Sequence, residues 1–436
     1  MNLTIYTLKS LAYAIVNPSM ALILILLCVF LYRKNSRITM MQKIMVGERF
    51  ISPIELTLSQ LVLGILGGAI GSIILTNTGV MFHENSGIDL IFLFSFFLMF
   101  IKPRYICFSY SGAILGLLTI LLNYLGNLGI VKNTYLSNVQ LDIMALITLI
   151  AILHIVEGFL IAIDGSKGAI PVFTHRDGKL IGGFSLERYW PLPIAIMFLT
   201  TRDFSVSSSV INTPEWWPLI RGDVNMALIG TAIASVIPIY GVLGYKSITF
   251  TKSKKTKALI SGIFNVIYGI ILIGVAYLTK FGLAAKIIAL ILMPALHEGM
   301  IFLQMFMETK DKAKFVSDDE GVTVLEVAPN SEAWNVGIKS GDKILEIDDN
   351  KVIEYTMIYE AISKGIKEFK LKIRDAKGKI KEVIISMPSE NKRLGIVLIP
   401  KVVPGDESMI QIKAKSFKDV LDNLKDKDKD KDKDKK

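Results

Sequence analysis

The sequence predicts a polytopic α-helical membrane bundle of about nine spans followed by a small soluble α+β domain. Three observations carry that prediction. Of the 436 residues, 52% are hydrophobic, and the mean hydropathy of +0.49 is too high for a soluble globule of this length. The apolar residues come in blocks of up to about two dozen with almost no charge, the length needed to cross ~30 Å of hydrocarbon. Beyond residue 308 the blocks give way to short alternating runs. A disulfide-rich secreted module is also excluded, because Cys28 and Cys107 both lie in apolar blocks.

The expected spans are 11–32, 57–77, 88–101, 105–126, 141–163, 225–245, 259–278 and 283–307. A weaker candidate at 190–201 is too short for a plain crossing helix at ~1.5 Å per residue, so it reads as broken, re-entrant or interfacial. The expected count is nine, within a range of seven to nine. The first span has no small-residue cleavage pattern after it and runs into Arg33 and Lys34, which marks a retained helix.

Basic residues set the orientation. Arg33, Lys34, Arg37, Lys43 and Arg49 follow the first span, and Lys102 and Arg104 lie in the next such turn. Lys167, Arg176, Lys179 and Arg188 follow residue 163, and Lys246, Lys252, Lys254, Lys255 and Lys257 follow residue 245. If 190–201 crosses, all four loops share one side, and the other carries only Lys9, Lys132, Arg202, Arg221 and Lys280. That bias places the N-terminus outside and the C-terminal domain in the cytoplasm. Much of the net charge of +10 therefore sets topology, and no nucleic-acid surface is read from it. The stretch 37–51, with Ile38, Met41 and Met45 among basic residues, suits a helix lying on the inner leaflet.

From Gly321 the pattern changes to short strands and turns, with an apolar strand at Ile344, Leu345 and Ile347, a helical run at 356–364, and paired strands at 367–374 and 379–386 around Gly378. The run Val327-Ala328-Pro329-Asn330-Ser331-Glu332-Ala333, then Gly337-Ile338-Lys339-Ser340-Gly341-Asp342, resembles the signature of a bacterial PDZ domain over 316–400. Arg393, Leu394, Gly395, Ile396 and Val397 resemble the carboxylate-binding loop and peptide-pairing strand of that family's circularly permuted form. The resemblance implies that loop N–H groups hold a peptide's terminal carboxylate, the strand edge takes a peptide strand, and Ile396, Met357 and Ala361 line the side-chain pocket.

A PDZ domain behind membrane spans raises intramembrane proteolysis. Site-2 metalloproteases need HExxH on a helix, two histidines for zinc and a glutamate base. Here His297-Glu298 is followed by Gly299, Met300 and Ile301, so the second ligand is missing, and Asp164-Gly165 matches only half of that family's other motif, in the wrong order. With four histidines in the chain, no catalytic residue, metal ligand or cofactor is assigned, and no GxSxG, Walker loop or CxxC pair occurs. His154, Glu157, His297 and Glu298 still lie in or near spans, where ionisable groups are costly. His154 and Glu157 share a helix face, which fits a buried hydrogen-bonded pair acting as polar glue, or else part of an ion path.

The segment from Asp164 to Pro193, with Gly182-Gly183-Phe184 and Tyr189-Trp190, together with Glu157-Gly158 and Trp216-Trp217-Pro218, resembles the MinJ family of polytopic PDZ proteins of Gram-positive division-site selection. The resemblance implies a non-enzymatic bridge between a DivIVA-like polar scaffold and a MinD-like ATPase, in the cell membrane near septa and poles. It departs from that pattern in its tail. Within 401–424 an apolar stripe of Phe417, Val420, Leu421 and Leu424 marks a short amphipathic helix, and 425–436 is a Lys/Asp alternation expected to be disordered. The expected organisation is thus a transmembrane domain at 1–308, a linker at 309–315, the PDZ domain at 316–400 and the tail. The expected function is a membrane adaptor that recruits cytoplasmic proteins by peptide addition. The rival readings are an inactive or atypical intramembrane protease and a transporter using His154 and Glu157.

Overall fold

The computed structural model describes residues 2–47, 50–130, 139–200, 215–220, 222, 233–363, 368–386 and 394–401. The expected tail features therefore lie outside the described residues, as does Arg393. Among the described residues, six helices are long and apolar enough to cross a membrane: α2 (Pro18–Val46), α3 (Pro53–Thr78), α5 (Phe108–Asn127), α6 (Ile143–Asp164), α7 (Lys254–Leu278) and α8 (Leu283–Lys310). Two shorter apolar helices accompany them, α1 (Leu3–Val16) and α4 (Leu90–Ile101). α6 lies at the centre of the bundle, and nearly every one of its side chains is buried.

The expected first span at 11–32 is corrected to two helices. Pro18 cannot continue a helix, and Asn17 takes an extended conformation in which its side chain caps Ser19 N–H. The inner-leaflet helix at 37–51 is corrected too, because α2 runs unbroken through Val46 and stops at left-handed Gly47.

A second correction concerns 190–201 and 225–245. Residues Lys179–Thr200 form one strand, β3, and Ile233–Thr249 form its antiparallel partner β4, in register from Phe184↔Thr249 to Thr200↔Ile233. Pro191, Pro193 and Pro238 would each break a helix interior, and β-branched and aromatic residues between them favour the pleat. The paired stretch extends about 55 Å, so this hairpin runs the full height of the bundle. Its two base ends lie together, which keeps the loops at 164–188 and 246–258 at one end of the molecule. Strands β1 (Met81–His83) and β2 (Ile170–Arg176) pair with the two ends of β3.

Between those ends one edge of β3 packs directly on α3. Pro191 and Pro193 have no N–H to leave unpaired there, and Ala195 donates its N–H to Ser72 Oγ at 2.8 Å. The prolines' carbonyl oxygens lie against Gly64 and Gly68, where a Cβ would come within 2.2 Å and 2.1 Å of them. Small residues also let α6 and α7 touch, since Gly158 and Gly262 each sit against the other's carbonyl. At the hairpin base, buried Asp164 Oδ2 accepts from Arg188 Nε at 2.8 Å, Arg188 Nη2 at 2.5 Å and Trp190 Nε1 at 3.0 Å, while Ser59 Oγ donates to Oδ1 at 2.6 Å. The Asp164-Gly165 pair is thus a structural node joining α3, α6 and β3.

After α8 the chain enters a second sheet. β5 (Phe315–Val316) adds to β3, then β6 (Val322–Val327), helix α9 (Glu332–Asn335), β7 (Lys343–Ile347), β8 (Asn350–Lys351), helix α10 (Tyr355–Ser363), β9 (Glu368–Arg374), β10 (Ile380–Ser386) and β11 (Ile396–Leu398) follow. The sheet order is β10-β9-β7-β6-β11, with β8 on β7. This domain has its own core, including Val322, Val324, Ile344, Phe369, Leu371 and Leu398. Its opposite face joins the bundle's core through Phe315, Leu325, Ala328, Val397 and Ile399. The expected linker at 309–315 is held down: Arg176 Nη1 donates to Asp311 O at 2.9 Å and Lys252 pairs with Asp311 at 2.8 Å.

Candidate functional site

Two places bring chemistry-bearing residues together. The first is the edge of the soluble sheet. β11 pairs with β6 on one side only among the described residues, with Ile396↔Val327 and Val397↔Glu326. Its other edge faces α10, whose Tyr359 hydroxyl donates to Ile396 O at 3.2 Å. Burial of that hydroxyl pushes its pKa up to about 12, so it stays a donor at neutral pH. Gly395 opens the strand at φ +73°, a conformation that disfavours any side chain, and its carbonyl accepts from Ala328 N–H at 2.7 Å. A Cβ on Gly395 would lie 2.3 Å from Ser331 Cβ. Leu394 and Ile396 point into the domain's own core, and Ala361 packs against that core. Met357 is half-buried and accepts from Ile353 N–H through its sulfur at 3.4 Å. Val397 instead packs in the bundle's core.

The second place lies inside the bundle. Three elements converge: the α4–α5 turn, the middle of α6 and the middle of α8. Cys107 Sγ lies 3.1 Å from His154 Nε2 and 3.5 Å from His297 Nε2. Among the described residues these three form the group of Cys, His and carboxylate side chains able to hold one ion, their ligand atoms all within 4.8 Å of one another. Ser109 Oγ sits 3.4 Å from His154 Nε2 and 2.8 Å from the Tyr268 hydroxyl, which donates to Met293 O. The expected His154–Glu157 hydrogen bond is not formed. Glu157 Oε2 stands 3.9 Å from His154 Nε2, an ion-pair separation.

Glu298 is brought in indirectly. It accepts from the Tyr110 hydroxyl at 2.5 Å and pairs with Arg104, and the same hydroxyl lies 3.1 Å from His297 Nδ1. The turn at 102–104 therefore does not reach the end where the other basic loops gather. Arg104 meets α8 at Glu298, and Cys107, three residues on, meets α6 at His154, each about 15–20 Å from the nearer end of its helix. Sequence reasoning singled out the two histidines and the two glutamates but missed Cys107, Ser109, Tyr110 and Tyr268, which no local spacing ties to them.

Residues 306–383 match the family model of the PDZ domain, a span that covers β5 to β9 and most of β10 and ends before Gly395 and β11. No curated protein matches the chain. The class defined by fold and match is thus a chain with six long apolar helices among its described residues and a PDZ domain after them.

Proposed function

We propose that this protein is a non-enzymatic membrane adaptor whose PDZ domain recruits cytoplasmic proteins by adding their peptide ends to β11. The observation that carries the reading is the β11 edge, led by Gly395 and, among the described residues, paired with no strand on its α10 side. Backbone pairing along such an edge supplies affinity, and the α10 side of the groove supplies selectivity. The excess of Lys and Arg in the loops at 33–49, 164–188 and 246–258 supports a cytoplasmic side for this domain, and the six long helices are compatible with insertion in the cell membrane. By its resemblance to the MinJ family, the protein bridges a DivIVA-like scaffold and a MinD-like ATPase at septa and poles. PDZ–peptide contacts on the order of micromolar need clustering to hold such a position.

The test has two layers. The full chain in lipid nanodiscs is offered a library of peptides with free or amidated C-termini, alone and as Gly395→Ala. Binding that needs the free carboxylate and is lost in the variant supports the adaptor reading, and absence of any carboxylate-dependent binder rejects it. In cells, a fluorescent fusion placed before the charged tail then reports on place. Uniform membrane signal from a functional fusion removes the division-site assignment.

A further inference from the structure

We propose that Cys107, His154 and His297 bind one zinc-class divalent cation within the helical bundle. The argument begins with proton accounting. His154 Nδ1 lies 2.8 Å from Ile150 O, a carbonyl that only accepts, so Nδ1 carries the proton and Nε2 is a bare lone pair. Tyr110 spends its proton on Glu298, so its oxygen accepts from His297 Nδ1, and His297 Nε2 is bare as well. Both lone pairs point at the Cys107 sulfur. One thiol proton satisfies one of them and leaves the other facing sulfur. A cation bound by a thiolate and two neutral imidazoles satisfies all three.

The geometry agrees. Ligand bonds of 2.3 Å to sulfur and about 2.05 Å to nitrogen at a tetrahedral angle separate sulfur from nitrogen by about 3.5 Å. The observed separations are 3.5 Å and 3.1 Å. Each imidazole is oriented through its outer nitrogen, His154 by a backbone carbonyl and His297 by the Arg104–Glu298–Tyr110 chain, the arrangement that fixes metal-ligating histidines. Cys107 caps α5, its sulfur 3.5 Å from Ser109 N–H, so the cap fixes where the sulfur points. One sulfur and two imidazole nitrogens select zinc-class ions over magnesium or calcium, which prefer oxygen. On binding, the thiol proton leaves to solvent and the sulfur–metal bond replaces it. Three protein ligands leave a fourth position to water, and Ser109 Oγ and Glu157 Oε2 stand 3.4 Å and 3.9 Å from His154 Nε2.

The test uses the full chain purified in detergent without added metal. Elemental analysis should find stoichiometric zinc, and replacement by Co²⁺ should give a thiolate-to-cobalt charge-transfer band that Cys107→Ser abolishes. Serine preserves the helix cap, so that variant retains the local fold. Tyr110→Phe, which removes only the orienting hydroxyl, should weaken Co²⁺ binding on the order of 10-fold. A wild-type readout stands beside these. Alkylation followed by peptide mass spectrometry should show Cys107 protected until a chelator is added, with Cys28 reacting equally in both states. Metal retained undiminished in both Cys107→Ser and His297→Gln places the ion elsewhere and overturns the proposal. So does a wild-type chain in which added Zn²⁺ neither protects Cys107 nor stays bound.

Discussion

Gly395→Ala isolates what the loop leading into β11 demands of its backbone. At φ +73° an alanine in the left-handed region costs roughly 1–2 kcal/mol. The new Cβ would also lie 2.3 Å from Ser331 Cβ and 2.7 Å from its Oγ, so Ser331 has to move. That hydroxyl donates to Ala328 O at 2.8 Å and caps Trp334 N–H at 3.2 Å, and losing such a cap costs about 1 kcal/mol. The expected total is about 2–3 kcal/mol, or roughly 30- to 150-fold in local opening. Gly337 provides the control, since it too has positive φ, +80°, but its added Cβ meets nothing within 4 Å. Gly337→Ala should therefore cost only the backbone part. Hydrogen exchange on the full chain, read in peptides covering 322–331 and 394–401, measures both. Equal loss of protection in the two variants would refute the steric argument and leave only backbone strain.

Other contacts make equally direct predictions. Gly68→Val drives a branched side chain into the Pro193 carbonyl and should make the β3–β4 hairpin sensitive to limited proteolysis, whereas Gly274→Ala, with nothing within 4 Å, should be silent. Arg188→Met leaves Asp164 buried without its guanidinium and should cost about 3–5 kcal/mol, seen as a lower thermal midpoint that Asp164→Leu in the same chain partly restores. At the soluble domain, burial works to raise the Asp318 pKa, but Lys343 Nζ at 2.6 Å and the Glu320 N–H hold it below its usual value. A depressed folded pKa contributes stability above the unfolded value of about 3.9 and loses it as pH falls through the folded one. Asp318→Asn should thus flatten the acid end of the unfolding profile slightly, slightly because the pair is partly exposed and screened. An unchanged acid limb would remove Asp318 from the account.

The legible part of the fold was the part written in long-range averages and in one dense motif. Apolar blocks located α3, α5, α6, α7 and α8 to within a few residues. The Ser331–Asp342 run marked the PDZ domain because its turn glycines and buried positions are set by local geometry. The hairpin was missed because a hydropathy window registers apolarity and ignores period. A 22-residue strand covered by helices is apolar on both faces, so it shows no alternation to find. The correcting signal was present in Pro191, Pro193 and Pro238, whose spacing no spanning helix would carry. Asn17-Pro18 gave the same kind of signal for the break between α1 and α2.

The intramembrane cluster failed to show in the sequence for a different reason. Metal motifs are recognised when ligands sit a turn apart on one helix, as in HExxH, and the missing second histidine led the reading away from metal. Here each ligand comes from a separate element, His154 and His297 standing 47 and 190 residues from Cys107. Such a set exists only after packing, and α4 decides it. With 12 residues it is too short to cross, so its turn into α5 stops partway along α6 and α8 and delivers Cys107 to their histidines. A full-length α4 would carry that turn to the end of the bundle and leave two buried imidazoles without a third donor. The short helix is therefore what makes a three-ligand site inside the bundle, and α8, which supplies His297, is also the element that delivers the chain to the PDZ domain.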